Sequence, residues 1–340
     1  MGERARRPSV VDVARLAGVA VGTVSNVLNR PQMVALATRE RVNAAIVELS
    51  FVPNGSARQL RAGTITTVGA VVLDIRNPFF TDVARGVEDR LAEADHTLML
   101  ASSDDDPVRE AKYLRLFEEH GVVGMLVVPT SGELDHLLQL QRRGVRVALL
   151  DAESTSDEIS SVSVDDRAGG ALAAAHLLEH GHRRIVFLNG PHTTRQCADR
   201  RAGVDAAVLR AGLDPAEVVT EVLLGSLDAA GGDAVMRRFV ALADGVAPAA
   251  VFCVNDLVAV GVQRVLRQMG GTELLGRTAV VGYDDIDIAA ELAVPLTSVR
   301  QPTHEMGYRA ADLLLAPGDA PVEHVVFAPE LVIRASSLVA

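Results

Sequence analysis

The stretch VGTVSNVLNRP, residues 21–31, has apolar side chains at 21, 24, 27 and 28, hydroxyls at 23 and 25, amides at 26 and 29, and a closing proline. Apolar residues at three- and four-residue steps predict a helix with one apolar face, and Pro31 cannot continue it. Val24, Val27 and Leu28 fall inward by this spacing. Val21, Gly22, Thr23, Ser25 and Asn26 lie further out. An ordinary amphipathic helix has this pattern, and so does the second helix of a DNA-reading helix-turn-helix; the flanking residues decide between them.

Upstream, Ser9 opens SVVDVARLAGV. A serine followed three residues later by an acidic side chain is a variant of the capping box, which satisfies backbone N–H groups at a helix start. Val10, Val13, Ala14, Leu16 and Ala17 supply an apolar stripe, and Gly18 can take the left-handed turn that ends a helix. Downstream, Val42, Ala45, Ile46 and Leu49 mark one face of a third helix over about 37–49. Two short helices joined by a tight glycine turn form a helix-turn-helix, and three can share a small core.

The charge agrees. Residues 1–63 hold nine arginines (4, 6, 7, 15, 30, 39, 41, 58 and 61) against four acids (Glu3, Asp12, Glu40 and Glu48), a net of +5 in a chain whose total is −11. The remainder has 24 basic against 40 acidic side chains, a net of −16. A basic segment on an acidic body points to a polyanion as partner of the first domain alone. A merely solvated arginine-rich arm would not need the helical pattern. At 340 residues, 49% hydrophobic and 23% charged, the chain is long enough for two or three globular domains. Cys197 and Cys253 are far apart and give neither a disulfide framework nor metal-ligand spacing, which fits a reducing cytoplasm. Arg4, Arg6 and Arg7 could begin a signal peptide, but Asp12 and Arg15 interrupt the apolar stretch it needs. No run of about 18 apolar residues occurs, so no membrane span is expected.

In a helix-turn-helix the second helix enters the major groove and its N-terminal residues meet base edges. Asn26 can bond adenine in bidentate fashion and Val21 can touch a thymine methyl, so these two are the expected readers. Thr23 and Ser25 suit phosphate oxygens, which set register. For those two residues alone, solvation of a helix surface is the simpler account.

The segments SVVDVARLAGVAVGTVSNVLNRP and TRERVNAAIVELSFVPNGSARQLRAG resemble the lactose-repressor (LacI) family of bacterial transcription regulators. The resemblance implies a DNA-binding headpiece over 1–53 and a hinge helix or linker over 54–63. It implies that TVSNVLN is the recognition helix, with Ser9, Val21, Gly22, Thr23, Ser25, Asn26 and Asn29 facing DNA. Within the hinge it assigns Leu60 as the residue that wedges into the minor groove beside its counterpart from a second subunit, flanked by Asn54, Ala57, Arg58 and Gln59. Such a wedge unstacks a base step and kinks the duplex. Two departures stand out. Ala20 and Ala35 occupy positions where the family often caps the second and third helices with serine, and each loss costs about 1 kcal/mol. Gly22 offers no side chain to a base, which leaves specificity to Val21 and Asn26.

From Thr67 the pattern alternates strand and helix: VGAVVLD, a helix opened by Pro78, TLMLAS, a helix, VVGMLVVP, a helix, VRVALLD. It restarts near Val162 and runs through IVFLNG and VFCVND to VVGYDD. Apolar strands separated by helices predict parallel sheets covered on both faces. The expected fold class is α/β: a small all-α headpiece followed by two doubly wound lobes over 64–340. The expected division gives the first lobe about 64–163 and 297–322, and the second about 164–296 and 323–340. Ligands of such sheets sit beyond the carboxyl ends of the strands, which between two lobes means the cleft. The strand ends carry Asp74, Asn77, Phe79 and Phe80; Ser103 and Asp104; Asn255 and Asp256; and Asp284 and Asp285. Arg200 lies in the GPHTTRQCADRRAG segment. An acidic, amide-rich rim with one guanidinium can hold sugar hydroxyls. Capping of the next helix is the plainer role of such residues, and it is assigned to Asp256 and Asp285. Ligand contact is assigned to Asp104, Arg200 and Asp284.

The body also resembles that family's effector domain, which has the periplasmic sugar-binding fold, through NPFF, GHRRIVFLNGP, RAG, VFCVND, VVGYDD and PLTSVRQP. The resemblance implies an effector site at Arg200, Asn255 and Asp284 with Asn77, Phe79 and Phe80 as another wall. Val164 stands where several members place a stacking aromatic, and the chain has three tyrosines and no tryptophan. A flat purine is thereby disfavoured and a sugar, sugar phosphate or polyol favoured.

The enzyme hypothesis finds no G-x-S-x-G elbow, dinucleotide fingerprint, phosphate loop or HExxH. Gly169 and Gly170 begin a helix and suit helix packing. His180 and His182 flank a helix-ending glycine and have no third ligand at metal spacing. No cofactor or metal is expected. A secreted solute-binding protein would explain two lobes but not residues 9–61. The expected function is a repressor that binds a palindromic operator as a homodimer and is released by a small sugar-like effector. The alternatives are a corepressor-dependent regulator and one that senses a non-sugar metabolite such as a nucleobase. The chain ends soon after APELVIRAS without a leucine-heptad tail, so a dimer is expected rather than a tetramer.

Overall fold

The computed structural model describes residues 8–51, 66–242 and 247–338. The chain divides between Ile65 and Thr66 into two units.

The first unit is three helices, α1 (Val10–Ala17), α2 (Val21–Asn29) and α3 (Leu36–Glu48), with a 3-10 turn at Pro31–Met33. Ser9 and Asp12 form a full capping box: the Ser9 hydroxyl accepts from the Asp12 N–H, and the Asp12 carboxylate accepts from the Ser9 N–H at 2.8 Å. Gly18 ends α1 at φ 64°, in the left-handed region where glycine carries no Cβ penalty. The chain then turns so that α1 and α2 cross at 103°. Val13, Ala14, Ala17, Val24, Val27, Val42 and Ala45 are buried together, with Leu28, Ile46 and Leu49 packed at their edge. Leu16, placed in the apolar stripe by its spacing, is 45% exposed. In so short a helix the core takes a narrow strip, and Val13 and Ala17 already fill it.

The second unit has two six-stranded sheets. The first lobe runs β1 (Thr67–Val72), α4 (Pro78–Glu93), β2 (Thr97–Ser102), α5 (Pro107–Glu119), β3 (Gly124–Val127), α6 (Asp135–Arg142), β4 (Arg146–Leu150) and β5 (Ser160–Val164). The second runs α7 (Asp166–Glu179), β6 (Ile185–Asn189), α8 (Arg195–Arg210), α9 (Pro215–Val218), β7 (Val219–Leu223), α10 (Ala229–Leu242), β8 (Ala250–Cys253), α11 (Asp256–Leu275), β9 (Ala279–Asp284), α12 (Ile288–Glu291) and β10 (Thr297–Arg300). The chain returns through α13 (Thr303–Leu315) and β11 (His324–Phe327), then crosses again to β12 (Glu330–Val332). The strand orders are β11-β5-β4-β3-β1-β2 and β12-β10-β9-β8-β6-β7. All neighbours are parallel except β12, which runs antiparallel to β10.

The lobe boundaries differ from the sequence-based division. Thr297–Arg300 pairs with β9 in the second sheet, and His324–Phe327 pairs with β5 in the first. Of residues 297–322, helix α13 belongs to the first lobe, where it packs on α4. Strands at a sheet edge have the same apolar pattern whichever sheet they join, so linear alternation could not place them. Both faces of the first sheet are covered: Ala70, Val72 and Leu126 join the α4 side, while Val71, Met125 and Val127 join the α5 and α6 side.

Two helix pairs cross at backbone contact. A Cβ on Gly170 in α7 would lie 2.1 Å from the Arg200 carbonyl oxygen, and one on Gly203 in α8 would lie 2.0 Å from that of Arg167. Gly86 and Gly307 serve α4 and α13 in the same reciprocal way. The Gly169–Gly170 pair is thus a packing device, with Gly169 lying against the Tyr283 hydroxyl.

Candidate functional site

On α2, Val21, Gly22 and Asn26 are exposed, Thr23 and Ser25 are half-buried, and Val24 and Val27 are buried. Nothing stands within 4 Å of a Cβ built on Gly22. The helix starts at Ala20, whose backbone has the extended cap conformation but which offers no side-chain acceptor; Ala35 stands likewise before α3. Asn29 folds back along the helix and donates to the Ser25 carbonyl at 2.8 Å and to the Ser25 hydroxyl at 3.2 Å. The Ser9 hydroxyl donates to Asp12 at 2.6 Å, so it acts first as a cap. Asn54, Ala57, Arg58, Gln59 and Leu60 lie outside the described residues.

In the second unit, Asn77, Phe79, Phe80, Asp104, Arg200, Asn255 and Asp284 all line one cavity of about 420 Å³ between the lobes. Topology brings them there, because parallel strands in both sheets end on the cleft. The turns after β2, β4 and β9 each pass through a left-handed aspartate, Asp104 at φ 52°, Asp151 at 53° and Asp284 at 102°. Aspartate is among the few residues with a side chain that visit this region.

Arg200 is the buried centre of the second-lobe wall. Its Nε donates to Asp166 at 2.8 Å, its Nη1 donates to the Val254 carbonyl at 2.6 Å, and its guanidinium lies 3.6 Å from the centre of the Tyr283 ring. Tyr283 donates to the same Asp166 oxygen at 3.0 Å. Asp284 accepts from Asn77 at 3.1 Å and from Gln301 at 2.9 Å. Burial pushes its carboxyl up to about 6, against the pull of the Arg200 charge and those two bonds. Asn77 also accepts from the Phe79 N–H at 3.1 Å, and so caps α4 while spanning the lobes. Asn255 accepts from the Val258 N–H at 2.9 Å and donates to the Leu227 carbonyl at 2.9 Å, which makes it the cap of α11 as well as a wall residue. Asp104 is held low by the Ser102 hydroxyl and by Arg109, with which it pairs.

Asp256 and Asp285 are not caps. Asp256 accepts from Ser298 at 2.6 Å and from the Ile286 N–H at 2.9 Å, tying β9 to β10. Asp285 pairs with Arg300 at 2.7 Å and Arg334 at 2.5 Å. Among the wall residues that escaped the sequence reading are Asp105, Asp151, Gln196 and Gln301. Two of them add lobe-to-lobe bonds, Thr194 to Asp105 at 3.2 Å and Gln196 to Asp151 at 3.0 Å. Among the described residues, no group of three His, Cys, Asp or Glu side chains is placed to hold a metal ion, and no single helix is long and apolar enough to cross a membrane.

Residues 9–54 match the family of bacterial regulatory proteins of the lacI type, and residues 174–337 match a periplasmic binding protein-like domain. The chain is 32% identical to the HTH-type transcriptional repressor PurR of Photobacterium profundum, over 96% of this chain and 98% of that one. It is 34% identical to the ribose operon repressor of Escherichia coli, over 89% and 91%. It superposes on the lac repressor dimer bound to operator and the anti-inducer ONPF with a TM-score of 0.76 at 25% identity, covering 98% of this chain and 100% of that one.

Proposed function

The chain belongs to the lacI family of bacterial regulatory proteins, and from that premise we propose that it is a transcriptional repressor that binds a palindromic operator as a homodimer and answers to a small effector held between its lobes. One observation carries this: a single chain joins a 103° helix-turn-helix to a two-lobed cleft of about 420 Å³. An enzyme would have no use for the first, and a solute-binding protein would have none either. A single helix-turn-helix reads too few base pairs, so two-fold pairing on two half-sites follows. The relatives named for purine and for ribose control are repressors, and the function as a DNA-bound regulator places the protein in the cytoplasm.

In this scheme Val21 and Asn26 read bases, Thr23, Ser25 and Asn29 set register on phosphates, and Ser9 positions the start of α1. Leu60, flanked by Asn54, Ala57 and Arg58, wedges the minor groove. Asn77, Phe79, Phe80, Asp104, Arg200, Asn255 and Asp284 hold a sugar, sugar phosphate or polyol. A ligand that prefers one lobe arrangement shifts operator affinity by its differential binding. We favour release by an inducer; a corepressor is the runner-up.

The test is selection of bound duplexes from a randomised library with the full chain, followed by titration of ligands against the winning sequence. Enrichment of a two-fold symmetric site that ligand releases is expected. Failure to enrich any symmetric site would remove the repressor assignment, and tighter binding with ligand would replace inducer by corepressor.

A further inference from the structure

A second cavity, of about 410 Å³, lies where the carboxyl ends of β4, β5 and β11 meet the starts of α7 and α8. Val326 of β11 pairs in register with Ser163 of β5, and Asp151 follows the Leu150–Val162 pair of β4 and β5 by one residue. Register neighbours in a parallel sheet share a face, so Asp151, Ser163 and Val326 form one row across three strand ends. Val326 is exposed, which leaves the outer end of this row open to solvent. Asp151 and Gln196 stand in the partition and touch both this cavity and the cleft, whereas Asn77, Arg200, Asn255 and Asp284 line the cleft and not the second cavity.

Two side-chain oxygens on the wall have no hydrogen-bond partner among the described residues, Asp151 Oδ1 and Ser163 Oγ, on residues 5% and 4% exposed. The other Asp151 oxygen accepts from Gln196 at 3.0 Å. Buried polar atoms are ordinarily bonded, so each of these is an acceptor short of a donor.

The charge on the wall selects the kind of donor. Asp151, Glu153, Asp165, Asp166 and Asp199 line the cavity against two arginines, Arg167 and Arg195. Arg167 pairs with Asp199, Arg195 pairs with Glu153 and Asp199, and Asp166 is answered from behind by Arg200. Asp151 and Asp165 form no ion pair among the described residues; Asp165 accepts only from the Ala168 N–H, as the cap of α7. Burial first, and then the Asp166 charge, raise the Asp151 carboxyl against the pull of Arg200, and a cation beside it relieves that cost. An ammonium group brings one positive charge and three N–H donors. Neighbouring strands lie about 4.8 Å apart, so one nitrogen between Asp151 and Ser163 can donate to both.

We propose that this cavity is a second ligand site, separate from the effector cleft, and that it takes a small primary amine whose ammonium group donates to Asp151 Oδ1 and Ser163 Oγ, with Asp165 as the second unpaired carboxylate. The two acceptors are less than a tenth exposed, which suits a free small molecule. The site does not depend on what the cleft binds.

The experiment is a thermal-shift titration of the full chain with the chlorides of ethylammonium, ethanolamine and 1,4-diaminobutane, against choline, potassium and sodium chloride at equal ionic strength. A dose-dependent rise in Tm with a primary amine, absent with the other three salts, is the expected result. Choline has the charge without the N–H donors, so an equal response to choline overturns the proposal. An equal response to potassium makes the site one for an inorganic cation and overturns it too, as does silence across the three amines. For the active amine, Ser163→Ala and Asp165→Asn are expected to weaken binding about tenfold each; asparagine keeps the helix cap, and unchanged affinity in both variants overturns the assignment. Ser226→Trp places bulk at the exposed rim of the cleft, away from the second cavity. The amine response is expected to survive it, and its loss would put the amine in the cleft and remove the second site.

Discussion

Asn77 of the first lobe donates to Asp284 of the second across 3.1 Å, and both lie on the wall of the cleft. The bond joins a helix cap to a strand end, so any change in lobe separation breaks it. Its acceptor is also a titrating group. Burial pushes the Asp284 carboxyl up to about 6 from an ordinary 3.8.

The sign of the resulting pH dependence follows from linkage. Between about pH 4 and 6 the folded protein binds the Asp284 proton and the unfolded chain releases it, so stability falls as pH rises through that window. Asp284→Asn removes this titration. In urea melts the wild type is expected to gain on the variant as pH is lowered from about 7.5 to about 4.5. Asp151 and Asp166 shift the same way, by burial first; the Asp284 charge also raises Asp151, so its removal relieves part of that shift and adds to the difference with the same sign. A difference that stays constant or moves the other way would contradict the assignment.

Gly203→Ala tests the α7–α8 crossing. The new methyl would stand 2.0 Å from the Arg167 carbonyl oxygen, which is backbone and cannot swing aside. Overpacking of this kind costs about 1–3 kcal/mol, a fall in Tm of roughly 5 °C. The displaced helix carries Arg200, so effector affinity is expected to fall as well. Gly132→Ala, where a Cβ meets nothing within 4 Å, is the control and is expected to be neutral. Equal Tm values for the two variants would mean that the crossing tolerates a wider spacing.

Much of this architecture is legible in the sequence, because apolar strands between helices dictate parallel sheets, and parallel sheets dictate a cleft at the strand ends. Asn77, Arg200, Asn255 and Asp284 share one cavity for that reason. Asp151 and Gln301 were not legible. Asp151 faces the cleft because of a left-handed turn after β4, and Gln301 because it lies where the chain leaves β10 for the first lobe. Neither a single-residue φ nor a choice of sheet edge leaves a periodic trace. Asp256 and Asp285 misled for a related reason: aspartate after a strand often caps the next helix, but here tertiary partners from β10 and Arg334 take both carboxylates.

Ala20→Ser restores an acceptor at the start of α2. The backbone there, φ −69° and ψ 151°, already has the extended conformation of a cap. A gain of about 1 kcal/mol in the first unit is expected, read as slower hydrogen exchange of the α2 amides in the full chain. Ala20→Gly is expected to leave exchange nearly unchanged. Faster exchange in the serine variant would show that its hydroxyl bonds elsewhere.

Asn26→Ala and Ser25→Ala separate base reading from positioning. Asn26 is exposed on the outer side of α2 and makes no side-chain hydrogen bond among the described residues, so its amide is free to bond a base edge. Its loss is expected to remove about 1–3 kcal/mol of preference at one position of each half-site and little elsewhere. Ser25 is half-buried, and its hydroxyl accepts from Asn29 at 3.2 Å, leaving its own hydrogen for a phosphate. Ser25→Ala is expected to weaken all sequences alike, by about 1 kcal/mol, and to leave the ranking of a randomised operator library unchanged. Sequencing the bound fraction for each variant measures both effects. If the two variants lost affinity uniformly across the library, base reading would have to be moved from Asn26 to Val21 and the exposed backbone beside Gly22.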